Sequence, residues 1–97
     1  MIPVPGAHEM RGDEIRAAVV AHERAKIAGV LAMGAGSPVH LVLVGGRVIV
    51  GDLVRVTDTH AVLRAWGARS DRRVVIAEIR HARSAYFERA QVRRGRA

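Results

Sequence analysis

The stretch that decides the fold is VHLVLVGGRVIVGDLVRV, residues 39–56. Two apolar runs are joined there by Gly45-Gly46, and the second run contains Gly51. A Gly-Gly pair supplies the positive φ values of tight two-residue hairpin turns, and a glycine inside a strand marks a bulge or a sharp bend. The stretch therefore predicts a strongly bent β-hairpin, the unit from which small β-barrels are built.

The flanking residues predict one long helix before this hairpin and three more strands after it. Asp13 is a suitable N-cap, and the alanine-rich run behind it favours a helix over residues 13–33. Apolar runs over residues 60–66, 72–77 and 78–82 predict the third, fourth and fifth strands. Ser84 is a candidate cap for a short last helix.

The long helix carries a broad apolar arc, which predicts contact with two surfaces: its own sheet and a neighbouring subunit. Gly29 favours the alternative that the helix breaks there. The second flank would then be an artefact of treating the helix as continuous. One flank holds Ile15, Val19, Val30 and Met33, and the adjacent one holds Val20, Ile27 and Leu31.

Composition favours one folded domain. The chain has 97 residues, 49% of them apolar, and no cysteine, which excludes disulfides and thiolate metal sites. We expect residues 1–12 to be a flexible lead-in and residues 83–97 to be a short helix with a basic tail, around a barrel over residues 39–82. The first residues lack the pattern of a secretion signal, and no apolar run reaches the ~20 residues of a membrane helix, so we expect a soluble cytoplasmic protein.

The charge balance indicates a polyanionic partner. Sixteen Lys and Arg against nine Asp and Glu give a net charge of +7 and a pI near 11.6. The alternative is that an arginine-biased composition adds charge without a dedicated binding surface. The arginines that gather most closely are Arg69, Arg72 and Arg73 between two apolar runs, and Arg89, Arg93, Arg94 and Arg96 near the C-terminus.

No pattern for catalysis, a metal or a cofactor is present. The glycine-rich segment 34–38 follows a helix and precedes a strand, whereas phosphate loops follow a strand and open a helix. The five histidines lack metal-ligand spacing, and no serine lies in a recognisable catalytic motif. We therefore predict a non-enzymatic protein without a metal or cofactor. The three aromatic residues, Trp66, Tyr86 and Phe87, are too few for a base-stacking platform and are expected to be core or interface anchors.

The order of these features resembles the Sm-like family, which includes the bacterial RNA chaperone Hfq. The resemblance covers about residues 13–82 and implies a mainly β (α+β) fold, in which an N-terminal helix precedes a five-stranded, strongly bent antiparallel barrel of the SH3-like or Sm-like type. The distance from Gly51 to Asp58 is one residue longer than in Hfq, so either a bulge absorbs it or Thr57 takes the aspartate position. The matching features are Leu41–Val44, Gly45-Gly46, Arg47–Val50, Gly51, Asp58 and Ala61–Leu63.

The resemblance implies a ring of six or seven subunits, in which the fourth strand of one subunit pairs with the fifth strand of the next. A barrel of ~45 residues buries little apolar surface on its own, and an uncovered apolar edge strand favours aggregation, so self-assembly suits this chain. The residues expected at the subunit interface are Val74, Val75, Ile76 and Ile79.

The resemblance also implies RNA binding at the turn between the second and third strands, where Asp58 and His60 fall, and at the turn between the fourth and fifth strands. His60 falls near the position where family members stack a base, and a histidine ring can do so. The alternative is that His60 is only a solvated turn residue. Hfq has a Lys-His pair in the second turn, where this chain has Ile76, Ala77 and Glu78, so we expect arginines to supply the affinity. The further candidates are Arg47, Arg55, Arg64, Arg69, Arg72, Arg73 and the arginines of the tail, with Arg16, Arg24 and Lys26 on the helix.

The leading hypothesis is a ring-forming, RNA-binding Sm-like protein with arginine–phosphate contacts. The alternatives are an oligomeric scaffold or protein-interaction module without RNA binding, and a monomeric SH3-like barrel that binds DNA or a peptide.

Overall fold

The computed structural model describes residues 12–95, which form a helix, a five-stranded antiparallel sheet and a second helix. This confirms the predicted fold class. The expected lead-in lies outside the described residues except for Gly12, which belongs to the first helix, and Arg96 of the basic tail also lies outside them. Helix α1 spans Gly12–Leu31, strands β1 to β5 span Pro38–Leu43, Val48–Val56, His60–Ala65, Arg72–Val75 and Ile79–Ser84, and helix α2 spans Tyr86–Gly95.

The sheet is curved and only partly closed. Its strand order is β4-β3-β2-β1-β5, so β4 and β5 lie at the two edges. A flat five-stranded sheet would separate its edges by ~19 Å. The 3₁₀ turn Ile76–Glu78 joins β4 to β5 with three residues, and the four Cα–Cα steps from Val75 to Ile79 span ~14 Å at most. The sheet must therefore curl until its edge strands approach each other, which gives the predicted barrel-like shape.

The first hairpin differs from its prediction by one residue. Leu43 N donates to Arg47 O at 2.8 Å, so the turn contains the three residues Val44–Gly46 and not two. Gly45 and Gly46 have φ values of +85° and +84°, as their sequence predicted.

Gly51 is not the site of a bulge, which was one of the two roles predicted for it. Its pairing with β1 and β3 is regular, and the irregular pairing of β2 with β3 lies between Leu53 and Arg55. A Cβ at Gly51 would lie 2.4 Å from Arg64 O and 2.8 Å from Ala65 Cα. Glycine is thus required because β3 passes too close for a side chain.

The observed limits of the later strands also differ from the predicted ones. β3 ends one residue early at Ala65, and β4 ends at Val75 because residues 76–78 turn towards β5. β5 begins at Ile79 and continues to Ser84, two residues beyond its prediction. Ala85 N donates to Pro38 O at 2.8 Å, which continues the pairing with β1 to the start of α2.

The core lies between the concave face of the sheet and the C-terminal half of α1. Ile27 and Leu31 are the buried residues of α1, and they pack with Leu41, Leu63 and Ile79. The helix continues through Gly29 and ends two residues earlier than predicted. Every residue from 12 to 22 is exposed, so the sheet covers only the C-terminal part of the apolar arc.

The start of α2 agrees with its predicted cap, because Tyr86 N donates to Ser84 Oγ at 3.4 Å. Tyr86 and Phe87 are 50% and 73% exposed, so they are not core anchors, and the alternative that they are interface anchors stays a prediction. No helix within residues 12–95 is both long enough and apolar enough to cross a membrane.

Candidate nucleic-acid interface

The two turns that the family resemblance implies for RNA binding lie next to each other. Ile76 N, in the turn between β4 and β5, donates to Thr59 O, in the turn between β2 and β3, at 2.9 Å. Thr57 Oγ1 accepts from His60 N at 3.0 Å, which fixes the β2–β3 turn. A bulge also lies between Gly51 and Asp58, which is one of the two explanations predicted for the extra residue there.

These turns carry little positive charge. Asp58 and Glu78 are exposed acidic residues, and the only basic side chain among them is His60. The His60 ring is half-buried, with Nδ1 2.8 Å from Thr59 Oγ1. The paired turns are therefore a poor site for phosphate, and a cationic contact has to come from elsewhere on the surface.

Arg24 is held by the backbone of one of these turns. Its guanidinium donates to Ile76 O at 3.2 Å and also to Ile79 O. Both acceptors lie around the connection from β4 to β5, so Arg24 ties α1 to this connection and satisfies its carbonyl groups.

Arg64 is paired as well. Its Nε donates to Asp71 Oδ1 at 2.9 Å, and a second guanidinium nitrogen lies 2.8 Å from the same oxygen. The pair is exposed, so it contributes little to stability, but a phosphate would have to compete with Asp71 for this guanidinium.

The three neighbouring arginines of the β3–β4 region do not form one patch. Arg72 pairs with Leu63 of the core, whereas Arg73 pairs with Val62 on the opposite face of the sheet. Arg69 lies in the preceding loop, and Arg47 follows the first hairpin turn; both are exposed.

Two candidate arginines do share a face. Arg55 of β2 and Arg73 of β4 both pair with Val62 of β3, one from each side. Val62 alternates with the core residues Ala61 and Leu63, so this trio lies on the outer face, the face of the sheet turned away from the core. Both arginines are exposed. We name Arg55, Val62 and Arg73 the outer arginine patch.

The predicted interface residues divide by side-chain direction. Val74 and Ile79 are 3% and 0% exposed and lie in the core of their own chain. Val75 is 38% exposed, and Ile76 packs partly against the core. At this edge the exposed groups thus include the strand backbone and the side chains of Arg72, Arg73 and Val75.

The sequence did not indicate the contacts that fix α2. Arg89 donates to Gly36 O at 3.0 Å, lies 3.5 Å from Asp52 Oδ1 and stacks 5.0 Å from the centre of the Tyr86 ring. Trp66 Nε1 donates to the same Asp52 oxygen at 3.3 Å. An open hollow of about 200 Å³ lies between these groups. One arginine of the predicted basic tail thus has a structural role that only the fold reveals.

Within residues 12–95, no group of three histidine or acidic residues is arranged to hold a metal ion.

Comparison of the chain with protein-family models, with curated protein sequences and with solved structures gives no match.

Proposed function

We propose that this protein is a ring-forming, Sm-like RNA-binding protein that contacts RNA phosphates through arginines on the outer face of its sheet. The observation that carries the proposal is the strand order, which leaves β4 and β5 as the two edges of one curved sheet. Pairing of β4 with β5 of the next subunit would cover both edges and continue the sheet from subunit to subunit.

The charge distribution supports RNA as the partner. The net charge is +7, and the outer arginine patch presents two exposed guanidinium groups that have no hydrogen-bond partner within residues 12–95. A guanidinium group binds phosphate through two parallel hydrogen bonds, so spaced arginines suit an RNA backbone. Such contacts give affinity and position without base specificity.

The experiment is a fluorescence-anisotropy titration of labelled single-stranded RNA with the full chain, repeated between ~50 and ~200 mM salt. We expect affinity to fall steeply as salt rises. The double variant Arg55→Gln, Arg73→Gln should lose affinity about a hundredfold or more, because hydrogen bonds to charged groups contribute ~1.5–3 kcal/mol each. Its salt slope should fall by about 1.4 units, since two phosphate contacts are lost.

The matched comparison is Arg16→Gln, Arg94→Gln, which removes the same charge from two other candidate arginines, exposed on α1 and α2 and outside the outer arginine patch. It should bind RNA nearly as the wild type does. Equal losses in both double variants would show that total charge decides binding and not the outer arginine patch. A wild type that binds no RNA at low salt would overturn the proposal and favour an oligomeric scaffold.

A further inference from the structure

A second basic cluster lies at the edge of the sheet opposite to the outer arginine patch, where the outer face of β1 and β5 meets α1. It surrounds an open hollow of about 150 Å³ between β1, β5 and α1. We name it the histidine hollow, and it is lined by Lys26, His40, Val42, His81, Ala82 and Arg83.

The strand register explains why these residues meet. His40 pairs with Arg83 and Val42 pairs with His81 across β1 and β5. Their neighbours Leu41 and Ala82 are buried in the core, so these four side chains alternate to the outer face. Helix α1 supplies the other wall. Ile27 of this helix is buried, and its neighbour Lys26 lines the hollow.

Two carboxylates balance the fixed cations of the hollow. Glu23 Oε2 lies 3.2 Å from His81 Nδ1, and Glu88 Oε1 accepts a hydrogen bond from Arg83. That hydrogen bond is the main reason why the pKa of Glu88 lies below its ordinary value of 4.5. Glu88 Oε2 is shielded from solvent without a hydrogen-bond partner among the described residues.

The net charge of the hollow depends on whether the two imidazoles, those of His40 and His81, are charged. The charged and titratable groups that line the hollow are Lys26, His40, His81 and Arg83. Glu23 of α1 contacts His81, and Glu88 of α2 contacts Arg83. With neutral histidines the charges of these groups sum to zero. Protonation of either histidine would add one positive charge to the hollow.

From this arrangement we propose that the histidine hollow binds a phosphate group of single-stranded RNA and that acidification strengthens this binding. The hollow is smaller than the ~300–1,000 Å³ of small-molecule pockets, so it suits a phosphate with part of its sugar and not a free cofactor. The inference rests on the proposed function. In the proposed ring, Arg73 of the partner subunit would join the same face beside β5, because paired strands share their outer side.

The test compares RNA affinity at about pH 5.5 and pH 8, on either side of the histidine range, by anisotropy of a rhodamine-labelled oligouridylate. The wild type should bind about tenfold more tightly at the lower pH. The double variant His40→Gln, His81→Gln should lose most of that gain. His22→Gln, which removes an exposed histidine on α1 outside the hollow, should retain it.

A second variant guards against misfolding as the explanation. Glu88→Gln removes a carboxylate and releases Arg83, so it should tighten RNA binding several-fold at neutral pH. A damaged protein would show the opposite change.

Three results would overturn the inference. A pH gain that persists in the double variant would exclude the hollow and leave the proposed function intact. Inorganic phosphate that binds in calorimetry as tightly as the oligouridylate would assign the hollow to the free anion. A wild type that binds no RNA at either pH would remove both this inference and the proposed function.

Discussion

At the scale of single residues, replacing glycine by alanine should have opposite effects on the stability of the fold at Gly51 and at Gly29. Gly51→Ala would place a Cβ 2.4 Å from a backbone oxygen of β3, and backbone atoms yield less readily than a side chain. We expect it to destabilise the fold by about 3 kcal/mol, the upper end of what overpacking costs. Urea denaturation followed by circular dichroism measures the change.

Gly29→Ala is the control, since it lies inside α1 with nothing within 4 Å of an added Cβ. Alanine has the higher helix propensity, so this change should stabilise the fold by ~0.5–1 kcal/mol. Stability losses of similar size in both variants would contradict the assignment of Gly51 to a close strand approach.

The sequence predicted which residues are special more reliably than what each one does. Gly45 and Gly46 adopt the positive φ values expected from the Gly-Gly pair itself. Gly51 was recognised, but its role depends on how closely β3 passes, and no local pattern contains that distance. Likewise, the atoms that engage Arg24 and Arg64 lie 52 and 7 residues away along the chain, so only the fold shows that these candidates are paired.

At the scale of elements, α1 shows how far an apolar pattern determines burial. The pattern predicted a wide apolar arc, yet the sheet covers Ile27 and Leu31 and leaves Val19 57% exposed. Helical periodicity shows which residues share a face, but the position where the helix crosses the sheet decides which of them are buried.

Two substitutions in α1 should therefore differ greatly in cost. Ile27→Ala removes a side chain that is 1% exposed from the core, and we expect a loss of ~2–4 kcal/mol. Val19→Ala changes an exposed site and should alter the stability of the isolated subunit by less than ~0.5 kcal/mol. Chemical denaturation at low protein concentration compares the two. A large cost at Val19 would show that another surface covers this part of α1.

At the scale of the whole molecule, the two sheet edges connect fold and function. The sequence predicted five strands and their order along the chain, but not that the turn at residues 76–78 also packs against the β2–β3 turn. It also did not reveal that α1 lies against β5, where the Arg24 guanidinium donates a hydrogen bond to Ile79 O. Glu23 of the same helix also lies 3.2 Å from His81, so α1 contacts the first half of β5 and the second half of that strand is the proposed partner for β4.

The hydrogen-bond pattern of β4 identifies the groups that a neighbour would use. Ile76 N donates to Thr59 O, and the next pair inward is Val75 with His60. In an antiparallel ladder, hydrogen-bonded and non-bonded pairs alternate, so the N–H and C=O of Val75 point away from β3. The Val75 N–H therefore lies on the open edge, where the proposed neighbouring strand would add.

Val75→Pro should therefore abolish the ring while leaving the subunit folded. Val75 has φ −71°, which a proline ring accepts, and the lost N–H serves no partner within β3. Val75→Ala is the control, because it shortens the side chain and retains the N–H. Native mass spectrometry of protein purified without nuclease should show six- or seven-subunit rings carrying RNA for the wild type and Val75→Ala, and monomers for Val75→Pro. Rings in Val75→Pro would exclude pairing through β4, and a monomeric wild type would remove the ring itself.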